Sequence, residues 1–136
     1  MKQTILTKIA LPIIAVISMT ACGTNSIPNK GYKKFKEQTA QYYKSIGGTG
    51  KEVKFSSCSY VWITGSGTLD VGNLKDTVWY TANYTVTIGS SSLSKRTCFE
   101  YSSTSDYVQE LSDSKGYSYA YSLVQDGSLK GKIGSL

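Results

Sequence analysis

Three cysteines, nine carboxylates and no histidine are the groups with which this 136-residue chain could do chemistry. Without imidazole, neither a Ser-His nor a Cys-His nucleophile can be assembled, and the usual zinc sites lose a principal ligand. The acids are Glu37, Glu52, Asp70, Asp76, Glu100, Asp106, Glu110, Asp113 and Asp126. Glu100 and Glu110 are the residues most readily placed across a glycosidic bond, yet most of the nine fall in turns or on outward strand positions. Asp70-Val71-Gly72-Asn73 has too few ligands for a calcium loop. Gly65-Ser66-Gly67 does not open a helix, as a phosphate-cradling loop must. The expectation is a chain with no enzymatic activity, no metal and no cofactor.

What Cys22 can do depends on the residues before it. Lys2 and Lys8 give a positive start, and residues 9–19 form an apolar run. This is the pattern of a secretory signal, and it is shorter than the roughly 20 residues a membrane-spanning helix needs. Thr20 and Ala21 supply the small residues that cleavage prefers. Met19-Thr20-Ala21-Cys22 resembles the lipobox of bacterial lipoprotein precursors, with Met19 where leucine is commoner. The resemblance covers residues 1–22. It implies removal of residues 1–21, attachment of diacylglycerol to the Cys22 thiol, and acylation of the new amino terminus by a palmitate-type chain. Two or three such chains anchor a protein durably, at roughly 0.8 kcal/mol per buried CH₂. In enteric-type lipoproteins an aspartate after the cysteine retains the protein in the inner membrane. Gly23 therefore fits the outer membrane of a Gram-negative cell envelope.

Loss of Lys2 and Lys8 leaves 13 basic residues against 9 acidic ones, a formal charge of +4. That modest excess suits anionic headgroups or other envelope polyanions, and export argues against nucleic acid. With Cys22 lipidated, Cys58 and Cys98 remain as a pair in an exported chain, where disulfides persist. A bridge between them closes a loop of about 40 residues and would contribute roughly 4 kcal/mol in the chain-entropy model.

The elements that must position these groups follow in order. Residues 22–29 form the lipidated N-terminus and a short polar tether, whose seven residues 23–29 reach about 25 Å at most, and residues 30–136 form one domain. A helix is expected over residues 30–46. Asn29 would cap it, Gly31 weakens its first turn, and Gly47-Gly48 stops it. Its apolar stripe is Tyr32, Phe35, Thr39, Tyr42, Tyr43 and Ile46. From Glu52 the period changes to two. Val53, Phe55, Val61 and Ile63 read as one face, with Lys54, Ser56, Cys58, Tyr60 and Trp62 as the other. Alternation is clearest over residues 77–88. Gly89-Ser90-Ser91-Ser92 reads as a turn, and further strands are expected over 95–101, 107–111 and 117–124, with a brief edge over 129–133. The fold class is α+β, an N-terminal amphipathic helix packed on an antiparallel sheet of about five strands with a single disulfide. In element order it resembles cystatin-like helix-on-sheet folds.

Eleven tyrosines and two tryptophans suggest recognition, because such rings offer broad amphipathic contact at low entropic cost. Trp62, Trp79, Tyr117, Tyr119 and Tyr121 are the expected partner-binding platform. Trp79 sits among threonines on the polar side of its strand. Lys33, Lys34 and Lys44, on the outer helix face, are the expected contacts with the membrane surface. The expected function is that of a lipid-anchored envelope module that binds another envelope component, as an accessory to secretion, pilus or outer-membrane assembly. Two alternatives fit the same features. One is an immunity or exclusion lipoprotein directed against a toxin, phage or conjugative plasmid. The other is a binder of anionic cell-wall or lipopolysaccharide glycans.

Overall fold

The computed structural model describes residues 26–47 and 51–136. The chain divides into two compact units, residues 1–30 and 31–136. Cys22, with the expected signal and lipidation site, lies outside the described residues.

Of the first unit, residues 26–30 form the opening turn of helix α1 (Ile27–Gly47). Ser26 caps it. Its hydroxyl accepts the backbone N–H of Asn29 at 3.3 Å and the Asn29 amide at 2.9 Å, satisfying a donor that the first turn would otherwise leave unpaired. The helix thus starts three residues before the expected position, and Pro28 is accommodated because first-turn N–H groups have no helical partner.

The second unit is built on one five-stranded antiparallel sheet. Its strands are β1 (Lys51–Ser66), β2 (Thr77–Ile88), β3 (Ser91–Ser102), β4 (Tyr107–Leu111) and β5 (Leu129–Ser135). They lie in the order β4-β3-β2-β1-β5. A 3₁₀ turn (Gly72–Leu74) follows β1, and a second helix, α2 (Lys115–Gln125), links β4 to β5.

Each face of the sheet carries a helix. On one, Phe35 of α1 stacks on Phe99 with ring centroids 3.9 Å apart, and Phe99 stacks on Tyr80 at 4.3 Å. Phe55 and Tyr84 meet Phe35 edge-on. Gly31 permits the close approach: a Cβ there would collide with the Tyr80 hydroxyl and stand 2.7 Å from the Tyr101 Cβ. On the other face Ala120 of α2 is buried with Val61, Ile63 and Leu129, and Trp79, Tyr117, Leu123 and Val124 pack around them.

The two cores draw on the same strand because β1 is bulged. Phe55 opposes Tyr84 and Ser57 opposes Asn83, so Ser56 is extra. The bulge is stitched by the Ser56 hydroxyl donating to the Asn83 carbonyl at 3.1 Å and the Asn83 amide donating to the Ser57 hydroxyl at 2.9 Å. Beyond it every side chain changes face. Phe55 therefore packs under α1, while Val61 and Ile63 pack under α2. The expected single face of Val53, Phe55, Val61 and Ile63 is corrected accordingly.

Two parts of the expected fold class are overturned. Residues 117–124 are helix, not strand. Tyr117, Tyr119, Tyr121 and Leu123 alternate as a strand would, but 117, 120, 121 and 124 also satisfy helical spacing. The Asp113 carboxylate accepts the Lys115 N–H at 2.9 Å at the start, and Gly127, at φ 82, ends the helix. The sheet still has five strands because β5 is a full member.

The expected Cys58–Cys98 disulfide is absent, and both buried thiols are free. Cys58 lies beside Ala82, which in turn lies beside Thr97, whereas Cys98 lies beside Thr81. The cysteines are thus two strands apart, about 10 Å, and on opposite faces. A disulfide needs Cα atoms within about 4.4–6.8 Å.

Candidate functional site

The strands differ in length, and the difference opens the candidate site. β3 pairs with β2 along its whole course, from Ser91 against Ile88 to Ser102 against Thr77. β4 covers only Cys98 to Ser102. Among the described residues, no strand therefore lies beside the outer edge of β3 over residues 91–97. There the second half of α1 overhangs the sheet and leaves a groove of about 870 Å³. Its helical wall holds Phe35, Thr39, Tyr42 and Tyr43, its floor Tyr84 and Thr97, and its rim Lys95 and Arg96.

Chemically, the groove is phenolic and mixed in charge. The Tyr43 and Tyr84 hydroxyls are 3.5 Å apart. Burial, and then the Tyr43 hydroxyl, raise the Tyr84 pKa, so this phenol stays protonated. Thr97 donates to Glu110 at 2.8 Å. The Cys98 thiol is also held protonated, because burial outweighs the lowering effect of Arg96. A protonated thiol is a poor nucleophile. Tyr42 is 58% exposed and leaves a large apolar ring available for contact. Among the described residues, no three of His, Cys, Asp and Glu are grouped to hold a metal ion.

The five expected platform residues are distributed over separate surfaces. Trp62 and Trp79 occupy opposite faces of the sheet, since Trp62 opposes Val78 in the β1–β2 register and Val61 opposes Trp79. The Trp62 indole donates to Asp76 at 3.2 Å, and Lys132 lies 5.8 Å above its ring. Trp79 is half-buried beneath α2, where a Cβ at Gly116 would stand only 3.0 Å from the indole. Its place among threonines reflects a second core. Tyr117 and Tyr121 pair on α2 with centroids 6.2 Å apart, while Tyr119 is 66% exposed. The expected loop over residues 65–76 is pinned rather than open: Thr68 and Leu69 donate to Gly127 and Ser128 carbonyls.

Of the three expected membrane-facing lysines, Lys33 and Lys44 are exposed and lie within about 20° of each other around the helix axis. Lys34 is turned to Asp106, at 3.1 Å. Asp106 adopts a left-handed backbone, φ 52, and also accepts the Tyr101 hydroxyl at 2.6 Å.

The groove residues Tyr42, Tyr43, Tyr84, Lys95, Arg96 and Thr97 were not singled out as a site from the sequence. The available signal was the unequal length of the third and fourth strands, obscured by reading Ser91 and Ser92 as turn. The turn is only Gly89-Ser90, with Gly89 at φ 60. No family model, no curated protein and no solved structure matches this chain.

Proposed function

We propose that this chain is a lipoprotein of the bacterial envelope, anchored through acyl chains on Cys22, that works as a non-enzymatic binding module for another envelope component. The observation that carries the binding role is the groove, a phenol-walled trough of about 870 Å³ beside a strand edge that no strand covers among the described residues. Pockets of this size suit recognition. The groove's buried Tyr84 phenol is held in its protonated, unreactive form, as is the Cys98 thiol on the opposite face of the same edge. The lipobox-like Met19-Thr20-Ala21-Cys22 supports the anchor and the envelope address. Lys33 and Lys44 would rest against anionic headgroups, each adding about 1 kcal/mol if near the surface.

Crosslinked envelopes provide the test. Pull-down with the wild-type chain is expected to capture a discrete partner, and Tyr42→Ala to lose it. Capture unchanged by Tyr42→Ala would sink the groove as the binding site. The captured protein's identity separates an assembly accessory from an immunity or exclusion factor.

A further inference from the structure

We infer that the groove takes an extended, carboxylate-bearing segment of a partner protein, added as a sixth strand along residues 91–97 of β3. This deepens the binding reading above and rests on it.

Three observations converge. First, β3 runs seven residues beyond the end of its pairing with β4. In an antiparallel sheet alternate residues turn their N–H and C=O groups outward, so among the described residues that edge presents donors and acceptors with no strand partner along the groove. An extended peptide would take up the line that β4 leaves at Leu111, with Ser112, Asp113 and Ser114 closing one end. Second, the charges are sorted along the groove. At the closed end Glu110 accepts from Thr97 and Asp113 accepts from the Lys115 N–H. At the open end Lys95 and Arg96 are exposed, and the ion pair within 4.0 Å among the described residues is Lys34–Asp106. The open end therefore offers two cations outside any ion pair among the described residues. Lys95 lies on the α1 side of the sheet and Arg96 on the other, so that an added strand's carboxylates can meet a cation on either face. Third, the same cations oppose a second copy of this chain. Antiparallel self-pairing centred on Lys95 would set the two Lys95 side chains directly opposite each other, and like charges at such positions repel.

The test uses the full chain in detergent micelles and hydrogen exchange read residue by residue. The probe is a capped heptapeptide alternating glutamate with valine. Its companions are the same peptide with lysine for glutamate, and the acidic peptide N-methylated at every second amide, in both phases. Addition of a strand is expected to slow exchange within residues 91–97 about tenfold or more, with no slowing from the lysine or N-methylated peptides. Lys95→Glu combined with Arg96→Glu, both exposed and tolerable to the fold, should weaken the acidic peptide about tenfold. Exchange over 91–97 unchanged by saturating acidic peptide overturns strand addition. Equal binding of the lysine peptide overturns the charge assignment. Concentration-dependent protection of 91–97 without peptide would assign the edge to a second copy instead. If partner capture survives both Tyr42→Ala and the double charge reversal, the binding reading itself falls. If capture is lost in those variants while exchange stays unchanged, only strand addition falls.

Discussion

Cys58 sits in the core beneath α1, where burial raises its thiol pKa from 9.0 to about 12. The same cause raises Tyr101 to about 12 and moves Tyr80 and Tyr84 upward as well. Each of these groups is neutral when protonated, so the fold favours the protonated form. Their contribution to stability is complete below the unfolded values near 9 to 10 and is lost as pH rises toward 12. The chain should therefore hold its stability from neutrality to about pH 9 and then lose it steeply. In an alkaline titration followed by tyrosinate absorbance, one class of tyrosines should ionise only together with unfolding; smooth independent titration of every phenol would contradict this. The free thiols give a second expectation at this scale. Without reductant, the denatured chain should alkylate at both Cys58 and Cys98, whereas in the native chain Cys58 should be protected. A mass shift of two hydrogens on reduction would restore the discarded disulfide.

Helix α1 is held by rings and by one missing Cβ rather than by charge. Its residue stripe was legible in the sequence as far as Tyr32, Phe35 and Thr39, which are buried. Tyr42 and Ile46 continue the same stripe but remain exposed, because β4 is too short to extend the sheet beneath that end of the helix. Phe35→Ala should cost about 3–5 kcal/mol in urea unfolding, since it empties the stack with Phe99. Gly31→Ala is the sharper case. Helix propensity alone predicts a gain of about 1 kcal/mol, but the collision with Tyr80 and Tyr101 should reverse the sign to a loss of about 2 kcal/mol. Lys34→Ala should change stability by under about 1 kcal/mol, because its ion pair with Asp106 is 35% and 66% exposed at its two side chains. Helix α2 escaped the sequence reading because its tyrosines satisfy both periods, and only the buried place of Ala120 against Val61 and Ile63 decides between them. Trp79→Ala should accordingly loosen α2, seen as lost helical circular dichroism, rather than act as a clean surface change.

At the scale of the whole molecule, the sheet is covered by a helix on each face, and the proposed function resides at the stretch of edge that β4 leaves uncovered on β3 among the described residues. The anchor is tested separately. Cys22→Ser should abolish palmitate labelling and release the chain from membranes, and a wild-type chain that takes up no label would remove the envelope address. Loss of partner capture by a groove variant that still labels and still sediments with membranes would separate the two roles.

Composition, the absence of histidine, the amphipathic first helix and the long alternating second strand were determined by the sequence itself, because each rests on residue type or on a period within one element. The lipobox-like segment is likewise a local pattern. Which face each residue of β1 occupies was decided only in three dimensions, since one extra serine at the bulge reverses the alternation and no local period records it. The fate of the two cysteines followed from that register, and so did the second core around Trp79. The groove exists because two neighbouring strands end at different places, a relation between segments that no single stretch of sequence contains.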